Sequence, residues 1–144
     1  QAIGKVVVDP NNSANVIVGT KTGLWFSYDA GEHWSGPCFT NPFHGGPDYQ
    51  RQDTTGLLAV NRGGNTVLYA AIGTRGTPTP VQPDLDRTGA NAVYRAAMPA
   101  SGCPASWALL NGGWPANTGN GVTNNGTDIG RIELAVAPSD SNVL

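Results

Sequence analysis

Ser27-Tyr28-Asp29-Ala30-Gly31-Glu32-His33-Trp34 follows the apolar run Gly23-Leu24-Trp25-Phe26 and constrains the fold more than any other stretch of the chain. The run has the length and aromatic content of a β-strand. The pattern S-x-D-x-G-x-x-W then reads as a tight turn that sends the chain back antiparallel. Ser27 and Asp29 can accept hydrogen bonds from backbone N–H groups and stiffen the turn. Gly31 can take the positive φ a hairpin needs. Trp34 is expected to re-enter the core and bury a large apolar surface.

The same strand-turn-strand unit recurs. Val6-Val7-Val8-Asp9-Pro10, an Asn-rich turn and Asn15-Val16-Ile17-Val18-Gly19-Thr20 form the first copy. Leu57-Leu58-Ala59-Val60, Asn61-Arg62-Gly63-Gly64 and Asn65-Thr66-Val67-Leu68-Tyr69-Ala70 form the second. Ile132-Glu133-Leu134-Ala135-Val136, Ala137-Pro138-Ser139-Asp140 and Ser141-Asn142-Val143-Leu144 form the third. Val8, Val60 and Val136 align as equivalent positions, at unequal spacing because the connections vary in length. Gly23–Ser27 likewise matches Ala92–Ala96, where Trp107 stands in for Trp34 and the Asp is lost.

The turn pattern resembles the Asp-box, or bacterial neuraminidase repeat, whose box joins the third and fourth strands of a β-propeller blade. The resemblance implies an all-β chain of four-stranded antiparallel blades. Blade one is expected over about 4–37, blade two over about 56–110, and the start of blade three over about 130–144. A closed propeller needs more blades than this. Two blades and a half-hairpin leave apolar faces and strand edges uncovered. The 144 residues are therefore expected to be an incomplete part of a six- to ten-bladed propeller, completed by further blades or by self-association. An open two-sheet sandwich is the alternative. In the resembled family the box lies away from the binding face, so Ser27, Asp29, Gly31 and Trp34 are expected to be structural.

Composition narrows the function classes. Charged residues are 12% and the formal net charge is −2. No basic patch of the kind nucleic-acid binding requires is visible. Gly 20 and Pro 11 suit short strands and many turns. No apolar run reaches the ~18–20 residues of a membrane span. Low charge, abundant Asn and Thr, and the sequons Asn11-Asn12-Ser13 and Asn125-Gly126-Thr127 fit a secreted, extracellular protein. C-x-x-C spacing is absent, so zinc and redox motifs find no support. Cys38 and Cys103 form one candidate disulfide. Equal strand registers would hold the two thiols apart, and only connections that fold back would join them. Both outcomes stay open.

Antiparallel blades place the first-to-second and third-to-fourth connections on one face, and the others on the opposite face. The long connections, Ser35 to Thr55, Arg75 to Ala90 and Asn111 to Ile129, all fall opposite the box. Long loops are costly to order and often carry function. The candidate binding residues on that face are His44, Asp48, Tyr49, Arg51, Asp53, Asp84, Asp86, Trp114 and Asp128. They can hydrogen-bond and stack on sugars, or simply anchor their loops. Asp84 and Asp86, at i and i+2 with Gly89 near, make a weak Ca²⁺ candidate that lacks the EF-hand's closing Glu. No metal or other cofactor is expected.

Catalytic chemistry has less support. No G-x-S-x-G elbow, P-loop or dinucleotide fingerprint occurs. His33 and His44 lie in different turns. Arg51, Arg62, Arg75, Arg87, Arg95 and Arg131 match no sialidase motif. Thr127-Asp128-Ile129-Gly130 is similar to a stretch around a catalytic Asp of xyloglucanase-like enzymes, but it precedes a first strand here instead of following a second. No catalytic residue is carried across. The expected function is a secreted module that binds a glycan or an extracellular protein through its long-loop face. The alternatives are part of a sialidase- or xyloglucanase-like glycoside hydrolase completed by other blades, and a matrix or filament subunit.

Overall fold

The computed structural model describes residues 3–21, 23–38, 53–73, 92–110, 131–137, 139–140 and 142–144. These form eight strands: β1 Ile3–Asp9, β2 Asn12–Thr20, β3 Gly23–Ser27, β4 Ser35–Cys38, β5 Asp53–Arg62, β6 Asn65–Gly73, β7 Ala92–Ala97 and β8 Ala108–Leu110. They make two four-stranded sheets in the orders β1-β2-β3-β4 and β5-β6-β7-β8. Every strand pair is antiparallel. The all-β expectation is met. The described residues contain no helix.

The sheets stack because their strands alternate. Ile17, Leu24, Phe26 and Cys38 of the first sheet share one core cluster with Leu57, Leu68 and Ala70 of the second. Ile17, Leu24, Phe26 and Leu68 are fully buried, and each such side chain contributes ~1.5–3 kcal/mol. Phe26 is the largest of the four, and Phe26→Ala would cost ~3–5 kcal/mol. The close approach of β2 to β5 requires glycine at position 19. A Cβ there would stand 2.7 Å from Thr54 Cγ2.

The second sheet buries its other face too. Val60, Tyr69, Ala71 and Val93 form a cluster covered by Ile132, Leu134 and Val136. The expected strand over 132–136 keeps its two-residue alternation but carries no strand assignment. Among the described residues of this segment, an isolated Ala137–Asp140 bridge is the only ladder contact. Side-chain burial and the Thr55 hydroxyl hold the segment in place of a ladder. Thr55 Oγ1 lies 3.1 Å from the Ile132 carbonyl and accepts from the Ile132 N–H at 3.2 Å.

The repeat register differs by one residue from the alignment on Val8 and Val60. Val7 pairs with Ile17, and Leu58 pairs with Tyr69. Ile17 faces the second sheet and Tyr69 faces residues 132–136, so Val7 corresponds to Leu58 and Val8 to Ala59. Val8 is consequently 52% exposed while Val60 is 5% exposed. The reason is the turns. Gly63 and Gly64, both at positive φ, close a regular hairpin between Arg62 and Asn65. The first hairpin instead shifts register between Val8 and Asp9. One residue of slip sends every side chain to the opposite face.

Candidate functional site

The strand pairings define two ends. At the base lie the β1–β2 turn, the β3–β4 turn, the β5–β6 turn and the β7–β8 connection. At the head lie the starts of β1 and β5 and the ends from which the connections 39–52, 74–91 and 111–130 depart.

The base turn is locked by its own side chains. Ser27 is fully buried. Its hydroxyl donates to Asp29 Oδ1 at 2.8 Å and accepts from the Gly31 N–H at 2.8 Å. Asp29 Oδ1 also accepts from the His33 N–H at 2.9 Å, and Oδ2 lies 2.6 Å from His33 Nδ1. The His33 backbone N–H is the largest cause that holds the Asp29 carboxyl down at about 2, followed by the His33 ring and the Ser27 hydroxyl. Gly31 takes φ 100°, as expected, and Ala30 takes φ 62°. The Ala30 N–H reaches the Ala14 carbonyl at 2.8 Å, tying the turn to β2.

Trp34 corrects one expectation. It does not re-enter the core; it is 41% exposed. Its indole N–H donates to the Gly31 carbonyl at 2.9 Å, and its ring would lie 3.7 Å from a Cβ at Gly31. The turn's own carbonyl thus supplies the acceptor for the indole N–H. Asp29, Glu32 and His33 present ligand atoms within 4.8 Å of one another. The hydrogen bonds of the turn already account for that convergence.

A second polar cluster joins the sheets at the base. The buried Asp9 carboxylate accepts from the Thr66 hydroxyl, from Asn15 Nδ2 at 2.8 Å and from the Asn11 N–H at 2.9 Å. Asn11 Nδ2 donates to Thr66 Oγ1 at 2.7 Å. Burial alone would raise the Asp9 carboxyl, but the bonds from Thr66, Asn15 and the backbone outweigh it and hold it below its ordinary value.

The open cysteine question resolves as a bridge. Cys38 and Cys103 are joined, with Cα atoms 5.4 Å apart. The connection between β7 and β8 folds back over the first sheet. Met98 and Trp107 pack against its core, and the Tyr28 hydroxyl donates to the Gly102 carbonyl at 2.6 Å.

The head carries a cleft of about 310 Å³ lined by Ile3, Gly4, Lys5, Thr55 and Arg131. Thr55 sits where the β5–β6 register shifts between Thr54 and Gly56, a bulge of the kind that re-aims side chains. Two cations border the cleft and share one counter-ion, Glu133. Lys5 Nζ lies 2.7 Å from Glu133 Oε2, and Arg131 Nε lies 2.5 Å from Glu133 Oε1. Lys5, then Arg131, hold the Glu133 carboxyl below its ordinary value.

Of the binding residues read from the sequence, His44, Asp48, Tyr49, Arg51, Asp84, Asp86, Trp114 and Asp128 lie outside the described residues. Asp53 belongs to a strand instead of a loop, as the first residue of β5 opposite Gly73. Sequence reasoning missed Lys5, Thr55 and Glu133, and named Arg131 only as an arginine without a motif. Lys5 before three valines was the available signal. Nothing local could pair it with a residue 128 positions away. Compared with known proteins, the chain matches no family model, no curated protein and no solved structure.

Proposed function

We propose that this chain is a segment of an Asp-box β-propeller that binds glycans through its head, with the box-bearing base as scaffold. The observation that carries the reading is the division of labour between the two ends. At the base, the turns after β1 and β3 spend their polar groups on one another or on the neighbouring sheet, as in Ser27, Asp29 and His33. The head carries the strand ends from which residues 39–52, 74–91 and 111–130 depart and a cleft bordered by residues from three separate parts of the chain. Loops carried on a rigid scaffold are where binding residues concentrate. The blade reading draws support from the repeated stacking: the second sheet packs on the first, and residues 132–136 pack on the second in turn. The Cys38–Cys103 bridge is compatible with an oxidising, extracellular compartment.

The test is a glycan array probed with the intact protein, followed by titration calorimetry on the hits. Tyr49→Ala and Trp114→Ala, in the connections read from the sequence as the binding loops, should each weaken binding at least about tenfold, the loss expected for a stacked aromatic. His33→Ala at the base should leave it unchanged. Binding that survives both loop substitutions, or that is lost with the base substitution, would overturn the reading. Capture of a protein ligand through the same loop residues with no glycan hit would also overturn it, in favour of protein recognition.

A further inference from the structure

We infer that the head cleft takes the acidic group of a uronate- or sulfate-bearing polysaccharide, which displaces Glu133 from Lys5 and Arg131. The inference rests on the glycan reading above and names the ligand class.

The cleft's volume of about 310 Å³ lies at the lower end of small-ligand sites, which span ~300–1,000 Å³. Its walls divide by chemistry. Ile3, 65% exposed, offers an apolar surface for a sugar-ring face. Gly4 offers bare backbone. Lys5 and Arg131 offer the cations. The Thr55 hydroxyl is already engaged with both the N–H and the carbonyl of Ile132, so it shapes the wall and leaves recognition to the charged groups.

Glu133 is a resident stand-in for the ligand. One of its carboxylate oxygens meets Lys5 and the other meets Arg131. Two cations against one carboxylate leave the site with a net positive charge. The side chains of Lys5, Glu133 and Arg131 are 29%, 51% and 70% exposed, and ion pairs that open to water contribute little to stability. Glu133 can therefore release either partner at small cost. A planar carboxylate or a sulfate can then accept a bidentate pair from the Arg131 guanidinium, the geometry arginine favours. A neutral saccharide has no group that competes with Glu133. The formal net charge of −2 disfavours densely charged polyanions such as nucleic acid.

The experiment titrates the intact protein with a uronate trimer, a sulfated trimer and their neutral counterparts, methyl-esterified and desulfated. An acidic member should bind at least about tenfold more tightly than its neutral partner, and the preference should shrink with salt. Arg131→Gln and Lys5→Gln should each remove most of that preference. Glu133→Gln, which deletes the competing counter-ion, should raise affinity for the acidic member. A merely structural Glu133 would give no change or a loss. Thermal melts of the three variants should stay near that of the parent, since all three side chains reach solvent. Equal binding of acidic and neutral members, or an acidic preference untouched by the Arg131 and Lys5 substitutions, overturns the inference while the glycan reading stands. An unchanged or lowered affinity in Glu133→Gln overturns displacement. Failure of every saccharide, acidic and neutral, removes the glycan reading itself and the inference with it.

Discussion

Cys103→Ser isolates what the disulfide contributes. The bridge closes a loop with a sequence separation of 65 residues. In the chain-entropy model the crosslink removes about 14–15 cal/mol/K from the unfolded chain, or about 4 kcal/mol at 25 °C. Cys103 is the residue to change because it is exposed, whereas Cys38 is 2% exposed and packed with Ile17, Leu24 and Phe26. The single variant removes the link and keeps the buried sulfur. Adding Cys38→Ala empties part of the core and should cost a further ~1 kcal/mol. Urea unfolding under matched conditions measures both. The midpoint should fall by the full amount in Cys103→Ser, and the slope should rise because the unfolded chain is freer and exposes more surface. A loss below about 1 kcal/mol, less than the usual range for a native crosslink, would refute the reasoning. So would a double variant no less stable than the single one, which would mean that the Cys38 sulfur is not part of the core.

Ser27→Ala deletes a buried hydroxyl that serves both Asp29 and the Gly31 N–H and should cost ~1–2 kcal/mol by denaturant unfolding. Ala30→Gly relieves a φ of 62° and should stabilise by ~0.5–1 kcal/mol, since the αL penalty exceeds glycine's added entropy in the unfolded chain. The Asp29 carboxyl is depressed to about 2 in the fold against ~3.9 unfolded. Its contribution is therefore complete above about pH 4 and is lost as pH falls toward 2. The melting temperature should drop more steeply across that window in the parent than in Asp29→Asn, and parallel curves would refute the assignment.

Much of the fold was legible because it is local. Alternation marked most strands of both sheets, though Ser35–Cys38, read as the start of a long connection, is strand β4; Asn61-Arg62-Gly63-Gly64 marked a hairpin whose two glycines do take positive φ. The Ser27–Trp34 pattern named the residues that lock the base turn. It misjudged Trp34, because a periodic pattern cannot tell a ring that enters the core from one that lies over its own turn to satisfy an indole N–H. The repeat alignment slipped by one residue for a similar reason. Three consecutive valines fit either face, and the register shift after Val8 has no sequence mark.

The sequence by itself determined most of the strands and turns of the two sheets and their antiparallel connectivity, since each follows from period-two alternation and turn chemistry within a few residues. Tertiary structure alone decided three things. It folded the β7–β8 connection back so that Cys38 meets Cys103, it tied Asp9 to Thr66 across the sheets, and it brought Lys5 beside Arg131 and Glu133 at the head. Each joins residues from different sheets or segments. Such meetings depend on how the two sheets and the 132–136 segment stack, and stacking is set by the summed packing of both faces instead of by any stretch of sequence.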